Sequence, residues 1–183
     1  MKLAVLFPGI GYHMDKPLLY HSRRLLEQLG WEVRGVDYGE LPKNVKGDPE
    51  KMRRAFELAL SRVRAQLPAE LAGAEQVGFV SKSLGTAVAA ALAAGLDKPV
   101  GQILFTPVAE TFTLPIREGI VFHGTADSWA DTAAITAACA AQSLPLYTLP
   151  GADHSLEAGD AVEDLKALAD VMARCRRWLE SRC

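Results

Sequence analysis

At 183 residues the chain has the length of one domain, and a domain of that size buries about 70% of the surface its unfolded form exposes, with no need of covalent staples. Its composition is 49% hydrophobic and 23% charged, with a net charge of −2 and a sequence pI near 6.1. That is an ordinary globular balance, and it lacks the basic field that nucleic-acid binding requires. No run is long and apolar enough to span a membrane.

The opening Met1–Phe7 run is too short for a signal peptide and leads straight into Pro8-Gly9-Ile10-Gly11 with no small-residue cleavage site. Leu3–Phe7 reads instead as a buried strand closed by the Pro-Gly turn. Pro17–Leu29 follows as a helix with Leu18, Leu19, Leu25, Leu26 and Leu29 on one face, Asp15 placed to cap it and Gly30 to end it. Trp31–Tyr38 alternates imperfectly as a strand. Asp48-Pro49-Glu50 opens a second helix, in which Met52, Phe56, Ala59, Leu60, Val63 and Leu67 keep amphipathic spacing against Lys51, Arg53, Arg54 and Arg62.

Val77–Val80 is the next strand, and the Ala-rich, uncharged Leu84–Leu96 the next helix. Strands at Val100–Phe105 and Ile120–Phe122, a helix over Asp131–Gln142, a strand at Leu146–Leu149 and a closing helix over Asp160–Leu179 complete the pattern. In the last helix Val162, Leu165, Leu168, Met172, Cys175 and Leu179 form one stripe. Its Arg174, Arg176 and Arg177 decorate the final turns, where cations complement the helix dipole. Continuous apolar strands joined by helices make a parallel sheet covered on both faces. The expected architecture is therefore a three-layer α/β sandwich with a six-stranded parallel sheet, one domain over residues 1–183. Cys139, Cys175 and Cys183 have no CxxC spacing and are odd in number, which predicts reduced thiols in a cytoplasmic protein and neither a disulfide framework nor a zinc site.

In parallel sheets chemistry collects at the carboxyl ends of strands. Three such ends carry reactive residue types. The first is Ser81-Lys82-Ser83-Leu84-Gly85, a strand running directly into a helix. A sharp turn there would lift the Ser83 hydroxyl above the sheet, with small residues two before and two after it. Ser81 stands where glycine is usual. Alone, the motif describes a helix cap equally well. The second end is His123-Gly124-Thr125-Ala126-Asp127, and the third Gly151-Ala152-Asp153-His154. The order Ser83, Asp127, His154, each residue after its own strand, is that of nucleophile, acid and base in one class of serine hydrolases.

On these three motifs the sequence resembles the α/β-hydrolase superfamily, particularly its small lidless dienelactone-hydrolase-like and carboxylesterase-like members, and the resemblance covers nearly the whole chain. It implies a minimal α/β-hydrolase fold without the two leading antiparallel strands. It also implies no lid domain, since only about fifteen residues separate Phe105 from Ile120. The implied activity is that of an esterase or thioesterase on a small acyl substrate, working through a covalent acyl-enzyme and needing no cofactor and no metal. Ser83 would attack, His154 would carry the proton and Asp127 would orient His154. The oxyanion hole would use the N–H of Leu84 and one from the first loop, with Ile10 as donor and Gly9 or Gly11 as alternatives.

Gly9, Gly11, Tyr12, His13, Trp129 and Leu156 are the candidate pocket residues. His123 is assigned to the turn before the acid, Lys82 to a partly exposed structural role, and Glu110 is an alternative acid. Gly9-Ile10-Gly11 is no dinucleotide fingerprint, because Met14 occupies the third glycine position. The expected partner is a small acyl compound, with neither nucleic acid nor membrane. A non-catalytic binding protein on the same fold and use of the triad for acyl transfer or perhydrolysis are the competing readings.

Overall fold

The structure is a computed structural model, and it describes residues 1–182; Cys183 lies outside them. Six strands form one all-parallel sheet: β1 (Lys2–Phe7), β2 (Glu32–Gly35), β3 (Gln76–Lys82), β4 (Val100–Phe105), β5 (Gly119–Gly124) and β6 (Leu146–Leu149), in the order β2-β1-β3-β4-β5-β6. The helices are α1 (Pro17–Gln28), α2 (Pro49–Gln66), α3 (Pro68–Gly73), α4 (Leu84–Ala94), α5 (Thr132–Ala141) and α6 (Ala161–Glu180), with a 3₁₀ turn at Ala109–Thr113.

The strands are apolar on both sides because both sides are covered. Along β1, Leu3, Val5 and Phe7 pack with Ala55, Ala59 and Val63 of α2 and with Leu84 and Val88 of α4. Ala4 and Leu6 face the other way, onto Leu18, Leu19 and Leu26 of α1 and the Val171, Cys175 and Leu179 stripe of α6. A smaller cluster seats Ile135 and Cys139 of α5 on Leu104 and Val121. Each such Leu, Ile or Phe contributes about 1.5–3 kcal/mol by leaving water, so the sandwich is held by its layers. The three-layer, six-stranded arrangement is the one the sequence pattern predicts.

Local differences have local causes. Trp31–Tyr38 yields only the four-residue edge strand β2; its flanks Trp31, Val36 and Tyr38 are buried as coil. Pro68 restarts a short helix, α3, that apolar spacing alone does not separate from α2. Asp15 does not cap α1. Lys16 holds the cap position without a side-chain bond, and the hydroxyl oxygen of Tyr12 accepts the orphan N–H of Leu18 at 3.1 Å. Asp48, Asp131 and Asp160 do cap their helices. In α6 the predicted stripe begins too early: Val162 and Leu165 are 60% and 65% exposed, and packing starts at Leu168.

The strand register decides where the loops meet. Phe7 pairs with Ser81, Lys82 with Phe105, Phe105 with Phe122 and Gly124 with Leu149. The carboxyl ends of five strands are thus level, and the loops that leave them converge on one edge of the sheet.

Candidate active site

At the end of β3 the chain turns into α4 through Ser83, whose backbone sits at φ 54° and ψ −125°. That region is costly for any residue with a Cβ and persists only where the surroundings impose it. The surroundings do so here. Ser83 donates its N–H to the Phe105 carbonyl at 3.1 Å, and its carbonyl accepts from both the N–H and the hydroxyl of Thr86. Gly85 has no freedom to be anything else: a Cβ there would lie 2.4 Å from the Phe7 carbonyl oxygen and 2.5 Å from that of Pro8. Ser81, in place of the usual glycine, is fully buried, and its hydroxyl donates to the Ile103 carbonyl at 3.2 Å. The departure from the common motif is absorbed by one hydrogen bond.

The loops after β5 and β6 meet this elbow. A Cβ at Gly124 would fall 2.3 Å from the Ala152 carbonyl oxygen, so glycine is what lets the two loops close on each other. The result is an unbroken chain: Asp127 Oδ2 lies 2.7 Å from His154 Nδ1, and His154 Nε2 lies 2.8 Å from Ser83 Oγ. The Thr106 hydroxyl donates to the His154 carbonyl at 3.0 Å and fixes the loop from β4. The indole of Trp129 stacks on the imidazole at 5.3 Å, and its backbone N–H donates to Asp127 Oδ1 at 2.8 Å. The structure thus brings together all three residues that the strand-end argument singles out. Glu110 sits exposed in the 3₁₀ turn, and His154 Nδ1 bonds to Asp127.

Electrostatics follow from burial. The Asp127 side chain is fully buried, which by itself raises a carboxyl pKa; the bonds from His154 and the Trp129 amide outweigh this and hold it below the ordinary range. Desolvation pulls His154 below the usual imidazole value, opposed by its bond to Asp127 and assisted by the Lys82 ammonium. A neutral imidazole with Nδ1–H directed at a carboxylate presents Nε2 as an acceptor to the Ser83 hydroxyl. His123 lies at the end of β5, fully buried, with Nε2 3.0 Å from the Thr132 hydroxyl and Nδ1 3.8 Å from Asp127 Oδ2. Desolvation lowers its pKa too.

The first loop runs against the elbow, with Gly9 placed so that a Cβ would come 2.9 Å from that of Ser83. Gly9 donates its N–H to the Tyr12 carbonyl and Tyr12 returns the bond. That occupies the Gly9 donor, whereas no described residue accepts the N–H of Ile10 or of Leu84. Gly9, Ile10, Gly11 and His13 line a cleft of about 750 Å³ toward the β2 edge. A second groove, about 320 Å³ and mainly apolar, is lined by Met52, Phe56, Leu84, Ala87, Val108 and Leu114. Tyr12 and Leu156, expected at a pocket, are instead buried in the α1–α6 core. Leu156, at a backbone φ of 62°, also lines a groove between those helices.

Two features are not anticipated by the sequence pattern. Lys82 is 1% exposed, not partly exposed, because β3 runs two residues further than its apolar run and the strand alternation sends the side chain inward. The segment between β2 and α2 crosses the strand ends to reach the loop after β5. There the Lys46 ammonium donates to the Ser128 hydroxyl at 2.6 Å and lies 5.3 Å from the centre of the Trp129 ring.

Among the described residues no group of His, Cys, Asp and Glu is arranged to hold a metal ion, and no helix is long and apolar enough to cross a membrane. No protein-family model and no curated protein matches the sequence. Solved structures do match. A protein of unknown function from Agrobacterium tumefaciens, described as an α/β hydrolase, superposes with a TM-score of 0.74 at 16% identity over 99% of this chain and 84% of its own. A lidless α/β serine hydrolase from Xanthomonas campestris superposes at 0.62 and 19% identity, over 97% and 82%. Est1E from Butyrivibrio proteoclasticus, also solved with ferulic acid bound, superposes at 0.70 and 12% identity, over 98% and 88%. The fold of this chain is that of the lidless α/β hydrolases.

Proposed function

We propose that the protein is a serine hydrolase that cleaves the ester or thioester of a small acyl group through a covalent acyl-enzyme. The observation that carries this reading is the continuous Asp127–His154–Ser83 hydrogen-bonded chain on a strained elbow. Backbone strain of about 1–3 kcal/mol at a single residue clusters at active sites and ligand clamps. His154 takes the proton of the Ser83 hydroxyl as Oγ attacks the acyl carbonyl carbon. The tetrahedral oxyanion is received by the N–H groups of Leu84 and Ile10 at the amino end of α4. The carbonyl then reforms, the leaving group departs with the proton held by His154, and water repeats the sequence on the acyl-enzyme.

The apolar groove beginning at Leu84 suits the acyl chain, and the wider cleft beside Ile10 and His13 suits the leaving group. Cys139 and Cys175 are buried free thiols, which supports a reducing, cytoplasmic setting. The test is labelling by a fluorophosphonate together with turnover of short-chain p-nitrophenyl esters and thioesters. Labelling and turnover that vanish in Ser83→Ala are expected. Labelling that survives the substitution, or a folded wild type with neither activity, overturns the reading.

A further inference from the structure

Lys82 immediately precedes the candidate nucleophile, and it is the one ammonium-bearing side chain among the largest fully buried residues. Strand alternation puts it on the α1–α6 side of the sheet with Val80. Its Nζ lies 4.9 Å from the centre of the Tyr12 ring. No described residue accepts a hydrogen bond from it. A buried ammonium without a carboxylate partner is expensive, and a methionine or leucine would fill the same space at lower cost. The charges that face it surround the candidate triad: Asp127 and Asp153 favour the ammonium, and the ammonium in turn disfavours protonation of His154.

We propose that Lys82 is a positioning residue for the reaction: its buried ammonium, seated on the Tyr12 ring beside the triad, holds His154 in the neutral, proton-accepting form and balances the Asp127 carboxylate. The inference rests on the serine-hydrolase reading above. Below about pH 7, where Lys82 is protonated, the buried side chains of Asp127 and Lys82 form one carboxylate and one ammonium. When Ser83 attacks, the imidazolium and the oxyanion form as a pair, and the site remains neutral overall. Without Lys82 the Asp127 charge would stand alone, His154 would bind a proton more tightly, and the enzyme would lose its free base at a higher pH.

The other groups facing this centre do not duplicate the role. Tyr12 is neutral at all relevant pH because burial raises its hydroxyl to about 12, with Glu157 and Asp153 adding to the rise. His123, beside Asp127, has its pKa lowered by desolvation, which favours the neutral imidazole. Lys46 is exposed and lies over the Trp129 ring. Lys82 itself is drawn down to about 7 by desolvation, and His154 lies below its ordinary value of 6.5, so the ammonium is the main form on the acid side, where His154 takes up its proton, and is lost as pH rises through about 7.

The experiment compares wild type, Lys82→Met and Lys82→Arg by two measurements: the imidazole titration of His154 followed by NMR, assigned with His154→Gln, and the pH dependence of fluorophosphonate labelling. In Lys82→Met both the His154 midpoint and the acid limb of labelling should move up by about half a pH unit or more, as expected on loss of a nearby like charge. In Lys82→Arg both should stay at the wild-type position. Lys82→Gln serves for the same comparison if the methionine variant does not fold. A midpoint unchanged in the neutral variants, or one raised equally in Lys82→Arg, overturns the proposal. A wild type that takes no label, with His154 nevertheless shifted in Lys82→Met, overturns the hydrolase reading and leaves the electrostatic coupling standing.

Discussion

Replacing Ser83 by glycine should destroy activity and leave the protein more stable than replacing it by alanine. At φ 54° and ψ −125° the residue occupies backbone territory that glycine enters freely and a residue with a Cβ enters at a cost of about 1–3 kcal/mol. Glycine also gives the unfolded chain more freedom, worth about 0.4–1 kcal/mol against the folded state. Taking the middle of each range leaves a net gain of about 1.3 kcal/mol. The control is Ser83→Ala, which loses the same hydroxyl and the same bond to His154 but keeps the strain, so the glycine–alanine difference isolates the backbone. For a domain of this size 1 kcal/mol moves Tm by about 2–4 °C, and Ser83→Gly should therefore melt about 3–5 °C above Ser83→Ala in calorimetry or circular dichroism. Equal melting temperatures, or alanine above glycine, would refute the claim that the elbow stores strain.

Gly85→Ala should displace the first loop, since its Cβ meets the Phe7 and Pro8 carbonyl oxygens, which give way only if the backbone moves. The displacement carries Ile10 with it, and loss of one oxyanion donor predicts a fall in kcat of about 10²–10³, measured on the same p-nitrophenyl esters; a variant within tenfold of wild type contradicts the assignment of that loop. The acid limb of kcat/KM should have its midpoint below 6.5, because the base works only when neutral and His154 is depressed from the ordinary imidazole value: activity is lost as pH falls through that lowered pKa. Asp127→Asn, by removing the carboxylate that selects the Nδ1–H tautomer, should lower kcat by about 10³–10⁴ at the pH optimum without altering the circular dichroism spectrum. A limb above 7, or an asparagine variant of near wild-type rate, argues for another acid.

The site is legible in sequence wherever a residue's role follows from the strand end it leaves. Ser83, Asp127 and His154 each sit one turn beyond an apolar run, and a level sheet edge does the rest. Gly85 and Gly124 mark close backbone approaches that only a missing Cβ permits. Lys82 is not legible in this way, because an apolar run stops where a charge appears and so ends the expected strand at Val80. Continued to residue 82, the same alternation puts the ammonium in the core. Leu156 escapes for a related reason: nothing in a loop sequence announces a left-handed residue whose side chain is buried in the core. The contact between Lys46 and the 128–129 loop joins segments 82 residues apart, and no local pattern encodes such a pairing.

The crossing made by Lys46 also bears on how fast the molecule can work. One exposed hydrogen bond and one cation–ring contact hold the Lys46 side chain, each worth about 0.5–1.5 kcal/mol net, while Val45 beside it is buried in the core and Arg62 and Gln66 of α2 bond the Glu40 and Asp37 carbonyls before it. Together they favour the docked side chain by about a factor of ten to a hundred, and rotamer changes of an exposed side chain occur in picoseconds to nanoseconds. Even an opening that succeeds once in a hundred attempts is far faster than the 1–10³ turnovers per second typical of enzymes. The Lys46 side chain is thus a rapidly exchanging strut against Trp129, too loosely held to become the step for which a substrate would wait, while the backbone that carries it stays packed through Val45.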